Sequence, residues 1–321
     1  MRILLIAPEF FSYSIAIRKK LNDRGVYTLL ANELYSSNLF TKIIYRMKLF
    51  FLSKKKIVRH KEELLNTVIQ NRISDLIFIS PDHIDASFLL KLRSKAKLHL
   101  FMWDGFRNKP AARNYLSHFN TISSFDNEDC EKYRMNYIPL FAEDVFKYQL
   151  EEKVYDVSFC GTLHSNRPKF IRYLIGYFGN NNIYFKTKLY YHSKFLFYLF
   201  NPLTAYFFSR KISTNPFSKQ EVAELFKRSK VILDITHPRQ NGLTSRTFEA
   251  LRSNSKLITN NVKISEIQHI FPGRIFTYNP NSNFNSFKNF LTGEISSLTK
   301  KQDYFLSIDR FLDQLLRVVN D

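Results

Sequence analysis

The chain has 321 residues, 45% of them hydrophobic and 24% charged, with a formal net charge of +20. Disorder needs low hydrophobicity, so this composition excludes an unfolded chain, and the length suits two α/β domains of about 100–200 residues each. Cys130 and Cys160 lie far apart and outside any Cys-x-x-Cys pattern, which excludes a disulfide scaffold and a cysteine zinc site and suits a reducing, cytoplasmic compartment. The cation excess attracts polyanions: nucleic acid, an anionic membrane surface or phosphorylated substrates.

Residues 1–8 are apolar over too short a run for a signal peptide, and Glu9 follows at once, so they read as a first strand. No stretch approaches the roughly 20 apolar residues of a membrane-spanning helix. Strands are predicted at 2–7, 27–31, 75–80, 98–103 and 121–125, short and as a set rich in Ile, Leu and Phe, as strands covered on both faces are. Helical segments at 14–24, 62–71 and 86–93 alternate with them, which implies a parallel sheet with right-handed crossovers. After Pro139 and the polar stretch 143–152 the pattern restarts. New strands are predicted at 155–160, 183–186, 231–235, 256–259 and 274–277, with a helix from about Pro168 and a final helix over 301–319. The division is placed near residue 150, giving domains 1–149 and 150–321, with the last helix free to pack on either.

Two segments interrupt this order. Residues 42–61 hold eight lysines and arginines and no acid, interleaved with Ile, Tyr, Leu and Phe. Residues 184–211 crowd aromatics such as Tyr191, Phe197, Phe200 and Tyr206 beside Lys186, Lys188, Lys194, Arg210 and Lys211. Cations beside large apolar groups suit an interfacial helix, because they meet anionic headgroups while aromatics enter the acyl boundary. A core helix with a solvated basic face has the same composition.

Residues 231–260 carry the chemistry. An apolar strand ending at Asp234 leads into a polar loop with His237 and Gly242, then a helix entering near Thr244 with Ser245, Arg246 and Glu249. Ligands of open α/β sheets bind at the carboxyl ends of strands, and helix N-termini offer unpaired N–H groups to phosphate. Gly242 permits close backbone approach, Thr244 can cap or donate, and Arg246 can fork onto a diphosphate. Glu249, one turn beyond Ser245, can accept from a pair of ribose hydroxyls. His237 can hydrogen-bond a phosphate or sugar, or simply end the strand.

This strand–loop–helix resembles the donor-site segment of GT-B glycosyltransferases, in which glycine precedes a helix carrying Glu-Ala-Leu, here Glu249-Ala250-Leu251. Many retaining members have two glutamates eight positions apart; Asn241 stands at the first, and Asn254 replaces the usual glycine of the following turn. The chain is also similar to the spore-maturation-protein-like and lipopolysaccharide-biosynthesis glycosyltransferases. The points of likeness are Phe159-Cys160-Gly161-Thr162 followed by Arg167, the Gly242–Arg246–Glu249 spacing, Trp103-Asp104, and residues 125–133 leading to Tyr137-Ile138-Pro139-Leu140. The resemblance implies an α/β fold of two Rossmann-like doubly wound domains facing a cleft. It implies a nucleoside-diphosphate sugar as co-substrate, with Gly161, Thr162 and Arg167 beside its phosphates, and a surface-glycan or lipid-linked acceptor. The enzyme would then be cytoplasmic and peripheral at the inner membrane face.

An inverting transferase needs a general base, a retaining one usually does not, and the choice stays open. Asp104, beside Trp103 as an apolar wall for a sugar ring, is the first candidate for that base; Glu9 is the second, and Asp82 and His83 also follow a strand. No clustered His/Cys set and no Asp-x-Asp points to a metal, so no cofactor is expected and cations would stabilise the departing diphosphate. Residues 7–14 lack glycine, which excludes a nicotinamide-binding Gly-x-Gly-x-x-Gly turn. The competing reading is a basic nucleic-acid- or membrane-binding protein with an inactive transferase fold. Nucleic acid is disfavoured, because the basic residues sit beside long apolar runs and form no known module.

Overall fold

The computed structural model describes all residues except 9–11, 37, 48, 82–84, 165–166, 237–241, 279–283 and 321. Two compact units emerge: Met1–Leu140 with Pro238–Gly242 and Ile308–Asp321, and Phe141–His237 with Leu243–Ser307. The sequence pattern puts the division near residue 150, whereas the second unit begins at Phe141.

The first unit is a parallel sheet of β1 (Arg2–Ile6), β2 (Tyr27–Ala31), β3 (Asp75–Ile79), β4 (Lys97–Met102), β5 (Thr121–Ser124) and β6 (Asn136–Tyr137). Its order is β2-β1-β3-β4-β5-β6. Helices α1 (Ser12–Asp23), α2 (Leu39–Arg46), α3 (Lys54–Gln70), α4 (Ala86–Arg93) and α5 (Asn127–Tyr133) connect the strands. Every residue of β3 is buried, which requires cover on both faces and explains the apolar run at 76–79. Leu4, Leu76, Phe78, Leu98 and Leu100 form one core face with Leu89 and Leu92 of α4.

In the second unit β7 (Tyr155–Thr162), β8 (Phe185–Tyr190), β9 (Ile212–Ser213), β10 (Ser229–Asp234), β11 (Lys256–Thr259) and β12 (Ile275–Thr277) form another parallel sheet, ordered β12-β11-β10-β7-β8-β9. The helices are α6 (Arg167–Asn180), α7 (Lys194–Phe200), α8 (Pro202–Phe208), α9 (Lys219–Lys227), α10 (Ser245–Arg252), α11 (Ser265–Gln268), α12 (Phe284–Thr292) and α13 (Lys300–Leu306). Counted within the unit, this is the 3-2-1-4-5-6 order of dinucleotide-binding domains, reversing between β7 and β10. The two-residue strands β6 and β9 are too short to leave a periodic signal. The aromatic segment resolves into β8 and the α7–α8 hairpin, with Pro202 at the first position of α8, where its missing N–H goes unused.

The single final helix expected over 301–319 is two helices. Ser307 adopts extended geometry (φ −84°, ψ 157°) and breaks α13 from α14 (Ile308–Asn320), and the chain passes there from the second unit to the first. Within the first unit, Arg24 of α1 pairs with Asp309 at 2.7 Å and Asp313 at 2.8 Å. Phe311 packs edge-on against Phe101 and Trp103. The buried Arg310 guanidinium donates to the carbonyls of Pro139 (2.8 Å) and Leu140 (2.6 Å). Replacing it orphans both acceptors, so Arg310→Met should cost about 2–4 kcal/mol in denaturant titration. A loss below about 1 kcal/mol would mean that water takes over both carbonyls.

At the amino ends of the second sheet three cations are paired with neutral acceptors. Lys153 donates to Ser253 O (3.1 Å) and Ser255 Oγ (3.2 Å), Lys256 to Phe290 O and Gly293 O (both 2.6 Å), and Arg274 to Asn254 Oδ1 (2.8 Å). Burial, reinforced by Arg274, pushes the Lys153 ammonium down to about 7. Between that pH and the ordinary lysine value the unfolded state holds the extra proton, so stability rises with pH. The wild type should gain on the order of 2 kcal/mol between pH 7 and 9, and Lys153→Met should lack that gain. Parallel pH–stability curves for the two proteins would refute the assignment.

Candidate donor site

Strand order in the second unit reverses between β7 and β10, and the crevice outside the carboxyl ends at such a point is where open α/β sheets take ligands. Gly161 and Thr162 are the last residues of β7, and Asp234 is the last of β10. Arg167 opens α6 and spans the two strand ends. Its guanidinium donates to Thr162 O at 3.2 Å and to Ile235 O just past β10, and lies 3.0 Å from His164 Nε2. Its buried Nε has no hydrogen-bond partner. Burial holds this guanidinium below the ordinary arginine value; Asp234 opposes the shift and Arg246 adds to it by repulsion.

The second arginine comes from α10. Thr244 is its N-cap, accepting from the Arg246 N–H at 3.2 Å, so this hydroxyl serves the helix. The Arg246 guanidinium lies 3.6 Å from Glu249 Oε2 and 5.0 Å from the centre of the Phe226 ring. Glu249 is 2% exposed, and its other oxygen receives Lys219 Nζ at 2.6 Å. Lys219, at the start of α9, also lies 3.7 Å from Glu143. Glu249 is thus held between two cations, one on its own helix and one on α9.

Asp234 is buried, and desolvation raises its carboxyl above the usual carboxylate range against the pull of Arg246 and Arg167. Its Oδ2 has no hydrogen-bond partner. Two guanidiniums and one compromised carboxylate therefore meet at the switch point. Such an arrangement gains by admitting an anion, which lessens the repulsion between the arginines. The Cys160 thiol beside it is buried and pushed up by burial, so it is a core group rather than a nucleophile.

Gly242 groups with the first unit. A Cβ there would lie 2.5 Å from the Phe125 ring and 3.1 Å from Phe125 O, so the close approach that excludes a side chain is to protein. Asp104 follows β4, partly exposed, with its N–H donated to Ser80 Oγ at 2.9 Å. Trp103 is 6% exposed and packed among Tyr13, Phe101 and Phe311, so it offers no open wall to a sugar. Glu9, Asp82, His83, His237 and Asn241 lie outside the described residues. Among the described residues no group of three His, Cys, Asp or Glu side chains is placed to hold a metal.

The structure thus brings Gly161, Thr162, Arg167, Thr244, Arg246 and Glu249 to one sheet end, and adds Asp234 and Lys219. In the sequence Lys219 sits inside Ser218-Lys219-Gln220-Glu221, a capping box whose only readable message is a helix start.

No protein-family model and no curated protein sequence matches the chain. Solved structures match along its length. Sucrose-phosphate synthase from Thermosynechococcus elongatus aligns with a TM-score of 0.65 at 10% identity, covering 100% of this chain and 98% of that one. A glycosyltransferase from Rickettsia africae ESF-5 aligns at 0.61 and 11% identity, covering 99% and 97%. UDP-GlcNAc 2-epimerase from Methanocaldococcus jannaschii aligns at 0.54 and 12% identity, covering 100% and 99%. At these identities the likeness is one of fold. The chain has the GT-B glycosyltransferase fold, two Rossmann-like domains each built on a six-stranded parallel sheet.

Proposed function

We propose that the chain is a glycosyltransferase of the spore-maturation-like and lipopolysaccharide-biosynthesis kind. It would move a sugar from a nucleoside-diphosphate sugar to a surface-glycan or lipid-linked acceptor at the inner membrane face, without a metal. The observation that carries this reading is the convergence of Arg167 and Arg246 on the β7–β10 switch point. A diphosphate accepts forked hydrogen bonds from arginine, and charge builds on it as the glycosidic bond breaks. The arginines, with the amino end of α10, would stabilise that leaving group where a metal ion does so elsewhere. Glu249 would act first as a positioning residue for Arg246. Its contact with a ribose hydroxyl would require Lys219 to give up its place. The first unit would receive the acceptor, with Asp104 as the base if configuration is inverted. The net charge of +20 supports a membrane-side acceptor.

A thermal-shift panel of nucleoside diphosphates and nucleotide sugars tests the donor site. Ligand at ~100 times its dissociation constant should add roughly 2.7 kcal/mol of stability for one nucleotide class. Arg167→Ala and Arg246→Ala should each weaken that ligand by about tenfold or more, since each removes a charge-assisted donor. Unchanged affinity in both variants would dismiss the site, and binding of nucleic acid alone would favour the inactive-fold reading.

Glu249→Gln should lower stability by about 1–3 kcal/mol, because Lys219 and Arg246 keep only a neutral amide between them. Asp104→Asn should preserve the donor shift and reduce transfer by about 10²–10⁴-fold if this carboxylate removes the acceptor proton. Wild-type turnover in that variant would strike Asp104 from the reaction.

A further inference from the structure

Between Asp156 and Glu221 the chain carries nine lysines and arginines and no carboxylate side chain. This acid-free stretch includes the α7–α8 hairpin, inserted between β8 and β9. One face of the hairpin is core: Phe197, Ala205 and Phe208 pack with Ile171, Phe178 and Ile212. The opposite face has no such cover. Phe195 is 73% exposed, Leu203 79% and Tyr206 92%, and Leu199 and Phe200 beside the turn are exposed as well. Aliphatic and aromatic side chains thus crowd the tip of the hairpin, where Asn201 and Pro202 reverse the chain.

Cations stand behind that tip. Lys194 opens α7, and Arg210 and Lys211 follow α8; all three are exposed. Lys169 and Arg172 of α6 line a groove of about 630 Å³ beside Leu203 and Thr204, and Arg172 donates to Leu203 O at 3.1 Å. The Lys211 ammonium sits 3.7 Å over the centre of the Phe207 ring, so a cation stands directly against the aromatic surface of α8. Among the described residues no helix is long and apolar enough to cross a membrane. An apolar tip with a cationic collar is the arrangement that enters the acyl boundary while meeting phosphate headgroups.

We propose that the α7–α8 hairpin is a wedge that seats the second unit on an anionic lipid bilayer, with Leu199, Phe200 and Leu203 entering first. Nucleic acid fits the same collar but gives the leucines no counterpart, whereas acyl chains do. The wedge rests on the membrane-side placement proposed above, yet lipid binding can be measured without donor or acceptor.

The test is co-sedimentation of the full chain with phosphatidylcholine vesicles, with and without phosphatidylglycerol. Binding should require the anionic lipid and fall as salt rises. Phe200→Glu/Leu203→Glu should lower partitioning by at least about tenfold. Both positions are exposed, so the thermal midpoint and the nucleotide shift should stay at wild-type values, which separates failure of the wedge from failure of the donor site. As a second readout, Leu203→Cys carrying an environment-sensitive fluorophore should shift to the blue on phosphatidylglycerol vesicles; the native cysteines are buried. Wild-type partitioning by the double variant, or its loss instead on Phe51→Glu (a 74% exposed side chain in the basic 42–61 segment of the first unit), would overturn the proposal. So would a dimer in solution that the double variant splits, or retention by RNA but not by vesicles.

Discussion

In the second sheet the strand order reverses between β7 and β10, and the guanidinium of Arg167 joins their carboxyl ends through Thr162 O and Ile235 O. Parallel strands splay at such a reversal because their crossovers leave in opposite directions. A side chain that binds backbone oxygen on both sides fixes the spacing of the mouth. It also leaves a positive charge there, which no carboxylate hydrogen-bonds among the described contacts of Arg167. The placement of Arg246, the burial of Asp234 and the Lys219–Glu249 pair follow from managing that charge in a half-buried site.

The opposite end of the same sheet shows that cation content alone is a poor guide to ligands. Lys153, Lys256 and Arg274 are as enclosed as the switch-point arginines, but they end on carbonyl, hydroxyl and amide oxygens of turns and helix ends. Their hydrogen bonds are local, and their cost is desolvation, seen in the lowered Lys153. The switch-point arginines differ in place: they stand at the carboxyl ends of β7 and β10, beside the buried Asp234.

Much of the fold is legible in the sequence, because strands covered on both faces write themselves as unbroken apolar runs. The segment at 75–80 reads this way through residues 76–79, and β3 is buried along its length; β11 is buried too, although Lys256 and Thr259 flank its two apolar residues. What escapes is encoded in short or long-range contacts. Asn136–Tyr137 and Ile212–Ser213 are too brief for periodicity, and the break at Ser307 occurs inside a helical pattern that continues on either side. At the site, Arg246 and Glu249 are visible because one helix spaces them. Lys219 is not, because its partner lies 30 residues away on another helix. Trp103 misleads for a related reason: a tryptophan at a strand end reads as a binding wall, and only the packing of Phe311 shows that the ring is already covered.

The first unit takes elements from both ends of the chain. Its sheet is complete in sequence by Tyr137, yet Arg310 and Phe311, which secure Pro139, Leu140 and the Phe101–Trp103 face, belong to α14. On a ribosome, α14 emerges only after the whole second unit has been made. The earliest half to be translated must therefore wait, with an apolar face bare, while the later half folds. Nascent chains stalled before α14 should depend on chaperones to a degree that released chains do not.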